Sequence, residues 1–202
     1  MRRPRSLIGP ANMGGMVGLW NASSLIKNLQ VVGMSVGASS ASTDVTIGSV
    51  VMENTMLIRQ NKYMNFNTGN AVYACEPHVR LFSTTVVRGE VYTTGTTIDS
   101  FQRVFVVEFQ PGVVRVQRGV TTIGNGNSNN APGGAAITAV NPAKSFPNYL
   151  GAINLSSNGY SVDDIKNREF YTDLTAGGAG VLIYRPGTGA EARISWEVVE
   201  FY

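Results

Sequence analysis

The 202-residue sequence predicts an all-β protein: two tandem antiparallel β-sandwich modules that follow an extended N-terminal arm. Three observations predict this fold. Only 14% of the residues are charged, against roughly a quarter in soluble domains, so much of the surface is expected to be covered in an assembly. Apolar and polar residues alternate in short runs bounded by Gly, Asn, Ser and Pro. The last run, "RISWEVVEFY", also resembles the earlier "QRVFVVEFQ".

The arm comprises residues 1–24, where prolines and glycines interrupt any regular structure. Residues 1–43 contain four basic residues and no acidic residue, so the positive charge of the chain is concentrated there. We expect the arm to dock on an acidic or apolar groove of another protein, because three arginines would bind nucleic acid only weakly. The residues predicted to dock are Arg2, Arg3, Arg5, Met16 and Trp20.

The two predicted modules span residues 25–110 and 113–202, with "QPG" at 110–112 as the hinge. Segments recur between them in the same order, at spacings of 87 to 92 residues. "NLQVVGMSVG" is repeated as "RVQRGVTTIG", "VVMENT" faces "VNPAKS", and "VVEF" closes both modules. Twelve candidate strands result, among them "HVRLFSTTVVRGEVY" and "AAITAV". The one helix signal is "YSVDDIKNREF", which predicts two turns at most.

The closing strand carries apolar residues on both faces near its end. Ile194, Trp196 and Val198 alternate on one face, which predicts that they lie in the core. Phe201 lies on the opposite face, so we expect a neighbouring subunit to cover the strand there. Trp196, Val198 and Phe201 are thus the predicted closing strand and subunit contact of a homo-oligomer. Glu197 and Glu200 then need cationic partners or solvent, with Lys144 or an arginine of the adjacent chain as candidates.

Three aromatic residues, Tyr63, Phe66 and Tyr73, lie in the asparagine-rich stretch "NKYMNFNTGNAVY". Exposed rings beside amide side chains would suit a glycan or a partner protein. The alternative is that these rings pack against the end of the sandwich.

Groups for catalysis are scarce. Cys75 and His78 are the single cysteine and the single histidine, too few for a structural zinc site or a disulfide. We therefore expect no enzyme activity, no cofactor and no metal, and a hydrolase that uses His78 is only the third alternative. No run of about 20 apolar residues predicts a membrane span, and no secretory signal core is apparent.

The motifs of residues 113–202, "VQRGVTTI", "ITAVNPAKSF" and "ISWEVVEF", resemble a β-module of small bacteriophage and prophage virion proteins. Residues 25–110 match it in degraded form, with Val104 at the place of Trp196. The closing strand is also distantly similar to that of H-type lectin domains, which are trimeric six-stranded sandwiches that bind sugars.

The resemblance implies a structural protein of the virion tail, baseplate or tail fibre, made in the host cytoplasm. It also implies a homo-oligomer, expected to be a trimer, whose arm docks on other virion proteins and which contributes to host attachment. A capsid decoration or head-fibre protein and a glycan-binding lectin-like module are the alternatives.

Overall fold

The computed structural model describes residues 25–36, 42–66, 77–91, 98–124, 134–154, 170–185 and 191–202, with the backbone alone described for residues 61–66, 98–100 and 154. This part of the chain is nearly all β, as the sequence predicts. Its eleven strands are β1 (Ile26–Val36), β2 (Ser42–Thr46), β3 (Thr55–Phe66), β4 (His78–Ser83), β5 (Val86–Glu90), β6 (Ile98–Phe109), β7 (Val114–Ile123), β8 (Ser145–Asn154), β9 (Tyr171–Leu174), β10 (Val181–Tyr184) and β11 (Ala192–Phe201). Two 3-10 turns, Met52–Asn54 and Pro142–Lys144, precede β3 and β8.

The strands form four antiparallel sheets, two in residues 25–110 and two in residues 113–202, here called the first half and the second half. The first half contains the sheets β1-β6-β3 and β2-β5-β4. The second half contains β7-β11-β8 and β9-β10, and Ala136 forms an antiparallel bridge to Gly180 beside the latter. In the first half, the first and third strands flank the last, and in the second half the first and second strands do so.

A buried carboxylate fixes the start of the third strand in the first half. Glu108 Oε1 accepts a hydrogen bond from Lys27 Nζ at 2.8 Å and from the backbone N–H of Val51 at 3.0 Å. Val51 directly precedes the 3-10 turn, so the carboxylate ties the closing strand β6 to the turn that leads into β3.

The second half repeats this arrangement with different residues. Glu200 lies 92 positions after Glu108, and its carboxylate accepts from Arg115 Nη2 and from the backbone N–H of Asn141, both at 2.7 Å. Asn141 precedes the second 3-10 turn. The spacing that relates the two closing strands in sequence therefore also relates two equivalent sets of hydrogen bonds.

Two glutamines give a second equivalent pair. Gln30 on β1 exchanges two hydrogen bonds with the backbone of Gly48, at 3.1 and 2.7 Å. Gln117 on β7 exchanges two with the backbone of Thr138, at 2.7 and 2.8 Å. Each glutamine thereby holds the segment that leads to the 3-10 turn against the first strand of its half.

Three apolar clusters fill the described part of the chain. One lies between the two sheets of the first half, although Leu150 of β8 also belongs to it. A second lies in the second half and contains Ile194, Trp196 and Val198, which confirms the alternation predicted for the closing strand. A third cluster, which includes Phe109 and Val199, joins the two halves. Burial is thus continuous across the hinge, and the predicted domain boundaries stay a prediction.

The core of the second half accommodates Trp196 because Gly119 lies beneath it. A Cβ atom built on Gly119 would lie 2.4 Å from Cζ2 of the Trp196 ring, a distance that no side chain tolerates. The indole N–H donates to Thr121 Oγ1 at 2.9 Å. In the first half, Val104 pairs with Val32 at the equivalent place, and both are buried. The pair of valines in the first half therefore fills the place that Trp196 and Gly119 fill in the second half.

Candidate functional site

Among the described residues, the best-defined polar cluster lies at the contact between the first and the second half, here called the junction. Arg118 of β7 and Glu197 of β11 are directly paired across the sheet and form an ion pair of 3.2 Å. Arg118 Nη2 also donates to the backbone oxygens of Met52 and Thr55. Glu197 Oε2 accepts from the backbone N–H of Leu57 at 2.9 Å. The second half thus binds the free backbone edge of β3 with charged side chains.

Asn148 of β8 completes this row of three side chains across the β7-β11-β8 sheet. It pairs with Glu197, and its Nδ2 donates to the backbone oxygen of Leu57 at 2.7 Å. Leu57 therefore has both its N–H and its C=O satisfied by the second half. An edge strand that would otherwise be open to other chains is covered in this way.

Burial raises the pKa of Glu197 above its ordinary value of 4.5, although the nearby Arg118 opposes this effect. The side chain is fully buried, and desolvation of the ionised carboxylate is the larger effect. The ion pair is consequently a point where removal of one partner would leave a charge without compensation.

A second polar chain crosses the same junction. Ser195 Oγ lies 2.8 Å from His78 Nδ1, and His78 Nε2 lies 2.6 Å from Glu90 Oε2. Arg80 contacts the other oxygen of Glu90 at 3.1 Å. The hydrogen bond to His78, with the nearby Arg80, lowers the pKa of Glu90 to about 2.

This Ser–His–Glu chain has the residue types of a hydrolytic triad, but its geometry suits a structural role. In serine hydrolases the imidazole Nε2 faces the serine, whereas here Nδ1 does. Both Ser195 and His78 are fully buried, so no substrate can reach the hydroxyl in this arrangement. The chain links β11 of the second half to β4 and β5 of the first.

A cleft of about 320 Å³ lies beside the junction. Its lining includes Arg80, Phe82 and Trp196. The guanidinium of Arg88 lies 3.6 Å from the centroid of the Phe82 ring, which covers one face of this aromatic side chain. Trp196 is almost fully buried. Trp196 therefore offers no open face for stacking on a sugar, whereas Phe82 is 46% exposed.

Apolar side chains are exposed on the outer face of the first half, which is the side of β1-β6-β3 away from the first core. This face is defined here by Leu29, Val31, Ile58 and Phe105. Leu29, Val31 and Ile58 are 55%, 56% and 44% exposed, and Phe105 is half-buried. Val31, Phe105 and Ile58 are neighbours across the three strands. This contiguous apolar patch is the candidate interaction surface of the chain.

The structure describes only some of the residues that the sequence singles out. The docking residues Arg2, Arg3, Arg5, Met16 and Trp20 lie outside the described residues, as do Tyr73, Cys75 and the predicted helix of "YSVDDIKN". Tyr63 and Phe66 belong to β3 by their backbone, where they pair with Phe101 and Ile98. Their side chains lie outside the described part.

The closing strand differs in part from its prediction. Trp196 and Val198 face the second core, while Phe201 is 39% exposed and packs edge-on against Phe109 and stacked on Phe146. The strand is covered on both faces as expected. However, the first half of the same chain, rather than a neighbouring subunit, covers much of its outer face.

The expected cation for the glutamates was wrong as well. Arg118 and Arg115 of the same chain pair with Glu197 and Glu200, and Lys144 does not. Both arginines lie directly opposite their glutamates on β7. The sequence contained a signal for these two pairs. The two arginines of "RVQRG" are three residues apart, as are the two glutamates of "WEVVEF", so one register of the two strands pairs both.

No known protein family, curated protein or solved structure matches the chain. The likeness to virion proteins therefore stays a prediction that rests on the motifs of residues 113–202. In the described ranges, no group of three His, Cys, Asp or Glu side chains could hold a metal ion. None of the helices found there has the length and apolar character needed to cross a bilayer.

Proposed function

We propose that this chain is a non-enzymatic structural protein of a bacteriophage virion, located in the tail, baseplate or tail fibre. It assembles as a homo-oligomer, in which the N-terminal arm, through Arg2, Arg3, Arg5, Met16 and Trp20, docks on another virion protein. The observation that carries the proposal is the exposed apolar patch on the outer face of the first half, since a monomer would leave it in water.

The motif residues support a structural role, because each one performs a packing or hydrogen-bonding task. In "QRG", Gln117 holds the segment after β7, Arg118 binds the edge of β3, and Gly119 makes room for a tryptophan. Ser145 of "KSF" donates to the backbone oxygen of Asn141 at 2.8 Å. The parts of the sequence that carry the resemblance therefore build the fold and the contact between halves.

The composition agrees with a protein that is covered in an assembly. The 14% share of charged residues is below the roughly 25% that is usual in soluble domains. Apolar side chains also remain exposed on several strands. Part of this exposure lies at the C-terminus, where Phe201 and Tyr202 are open to solvent. Host attachment through a glycan would need a further surface, for which Tyr63, Phe66 and Tyr73 stay the candidates.

Particle fractionation tests this function. We expect the protein to copurify with intact particles of the phage that encodes it, through a density gradient and a high-salt wash. Antibody labelling of those particles should decorate the tail or its tip. Labelling over the head would favour the capsid decoration or head-fibre alternative, and absence of the protein from purified particles would contradict a virion role.

A further inference from the structure

The two halves meet in the third cluster, where the corresponding residues Phe109 and Phe201 are in contact, and in the polar junction, whose two surfaces are not equivalent. The first half contributes the edge of β3 and the preceding 3-10 turn, and the second half contributes the outer face of β7-β11-β8. A contact of this kind uses one surface of each unit and leaves the complementary surface of each unit unused. Here the surfaces without such a contact are the exposed part of the outer face of the first half, at Leu29, Val31 and Ile58, and the edge of β8. Phe105 and Val107 of the same face already pack in the third cluster.

The repeat defines which residues correspond. The row Arg118, Glu197 and Asn148 of the second half corresponds to the row Val31, Phe105 and Ile58 of the first half, because each row crosses the three strands at the same register. Leu57 of β3 corresponds to Pro147 of β8, since they pair with Val106 and Val198, which lie 92 positions apart.

The chemistry of the two unused surfaces is matched. Glu197 accepts the N–H of Leu57 in the contact between halves. Pro147 has no N–H to donate, and the residue that corresponds to Glu197 is Phe105, which cannot accept one. The loss of the donor on one surface accompanies the loss of the acceptor on the other. The apolar face at Phe105 can therefore pack against the ring of Pro147 at the β8 edge.

We infer that the outer face of the first half binds the β8 edge of a second copy of this chain, which repeats between chains the contact that joins the halves within one. The inference rests on the proposed homo-oligomeric assembly and identifies its surfaces. In this contact, Phe105 and Ile58 pack on Pro147, and Val31 lies near Ser145, as Arg118 lies near Thr55 within the chain.

The β8 edge is partly accessible for this contact, since Ser145 and Pro147 are half-buried. Strand β8 is at the border of its sheet. Phe146 is 39% exposed, and Pro142, Ala143 and Lys144 of the preceding turn are exposed. Because the contact is head-to-tail, repetition closes a ring when the rotation between copies allows it, and otherwise continues as an open filament. A closed ring covers the apolar face of every copy.

The molar mass of full-length protein in solution, by size-exclusion chromatography with light scattering, tests the surface. Wild type should have a mass of three or more times the 21.6 kDa chain. Val31→Glu, on the apolar face, should shift the protein to the monomer mass. Thr46→Glu, an exposed strand position on the β2-β5-β4 sheet, is the matched control and should keep the wild-type mass.

Cross-linking tests the pairing of surfaces with milder substitutions. A chain with Val31→Cys and Ser145→Cys, treated with a short bismaleimide, should give covalent multimers on a denaturing gel. A control chain with Thr46→Cys and Ser145→Cys should give no more covalent multimer than wild type does. Wild type and both variants contain Cys75, so any cross-linking through that residue is the same in all three chains.

The outcomes separate the inference from the proposed function. Wild-type mass for Val31→Glu, or equal cross-linking in both cysteine pairs, would overturn the proposed surface, while an oligomeric wild type found in particles would leave the function intact. A monomeric wild type would overturn both the surface and the homo-oligomer. Absence of the protein from purified particles would contradict the virion role but not the proposed contact between copies.

Discussion

Replacement of Arg118 by methionine should weaken the contact between the halves in a pH-dependent manner. The substitution keeps most of the side-chain length but leaves the buried carboxylate of Glu197 without its cation. Breaking a buried ion pair in this way costs about 3 to 5 kcal/mol. The backbone oxygens of Met52 and Thr55 lose their donor as well, which contributes about 1 to 2 kcal/mol of that cost.

The pH dependence follows from the raised pKa of Glu197. The folded protein holds this proton to a higher pH than the unfolded chain does, so ionisation of Glu197 lowers stability as pH rises above its ordinary value of 4.5. Without Arg118 that pKa rises further, so the decline continues to a higher pH and its total is larger. We expect the full loss at pH 8, and only the roughly 1 to 2 kcal/mol of the unpaired oxygens at pH 4.

Urea unfolding at pH 4 and pH 8, at one fixed protein concentration, measures both values. Arg193→Met, an exposed arginine on the same strand as Glu197, is the control and should change stability by no more than about 0.5 kcal/mol. A loss for Arg118→Met that is equal at the two pH values, or below about 1 kcal/mol at pH 8, would refute the role given to this ion pair.

Three further predictions concern the core, the junction and the arm. Gly119→Val should destabilise the protein by about 1 to 3 kcal/mol through overlap with Trp196; combined with Trp196→Val, the loss in thermal unfolding should be smaller than the sum of the single losses, and additivity would contradict the packing described. The lowered pKa of Glu90 stabilises the fold at pH values above 4.5, the ordinary pKa, and this stabilisation of about 3 kcal/mol is lost as the pH falls toward 2. Glu90→Gln should remove this pH dependence, so the variant should be less stable than wild type at neutral pH and about as stable at pH 2. A variant with the acid unfolding profile of wild type would argue against the bond to His78. Deletion of residues 1–24 should leave the purified protein folded but abolish its incorporation into particles, and wild-type incorporation would contradict the docking role of the arm.

The sequence predicted the fold class because alternation and turn residues act locally. It also indicated the repeat, since "VVEF" closes both halves and "VVMENT" of the first half corresponds to "VNPAKS" of the second. One predicted strand, "HVRLFSTTVVRGEVY", is divided at the turn after Ser83, whose Oγ accepts from the Thr85 N–H at 3.2 Å. Another, "AAITAV", forms only the bridge at Ala136 because its backbone bonds to the loop of residues 178–180 instead.

The cover of the closing strand could not be predicted from the sequence. An apolar face indicates that something packs on it, but not whether the partner is the same chain or another. The decisive contacts join residues 140 positions apart, such as Glu197 and Leu57, and use the backbone of Leu57 rather than its side chain. No pattern of side chains reports such a bond. Pro147, by contrast, was readable as an edge position.

The contact between the halves gives a physical reason why the corresponding rows of the two predicted modules differ. The second half needs a charged row to bind a strand edge that has an N–H, and it keeps Arg118 and Glu197 for this purpose. The first half has an apolar row in the same place. If this row binds the proline edge of another copy, the divergence reflects two different contacts in one assembly rather than loss of function in one module.

Electron cryomicroscopy of the purified full-length protein tests this central claim most directly. We predict a symmetric assembly in which the β8 edge of one copy, at Pro147, lies on the row Val31, Phe105 and Ile58 of the next. An assembly that leaves this row in solvent, or one in which the outer faces of two first halves meet across a two-fold axis, would contradict the account.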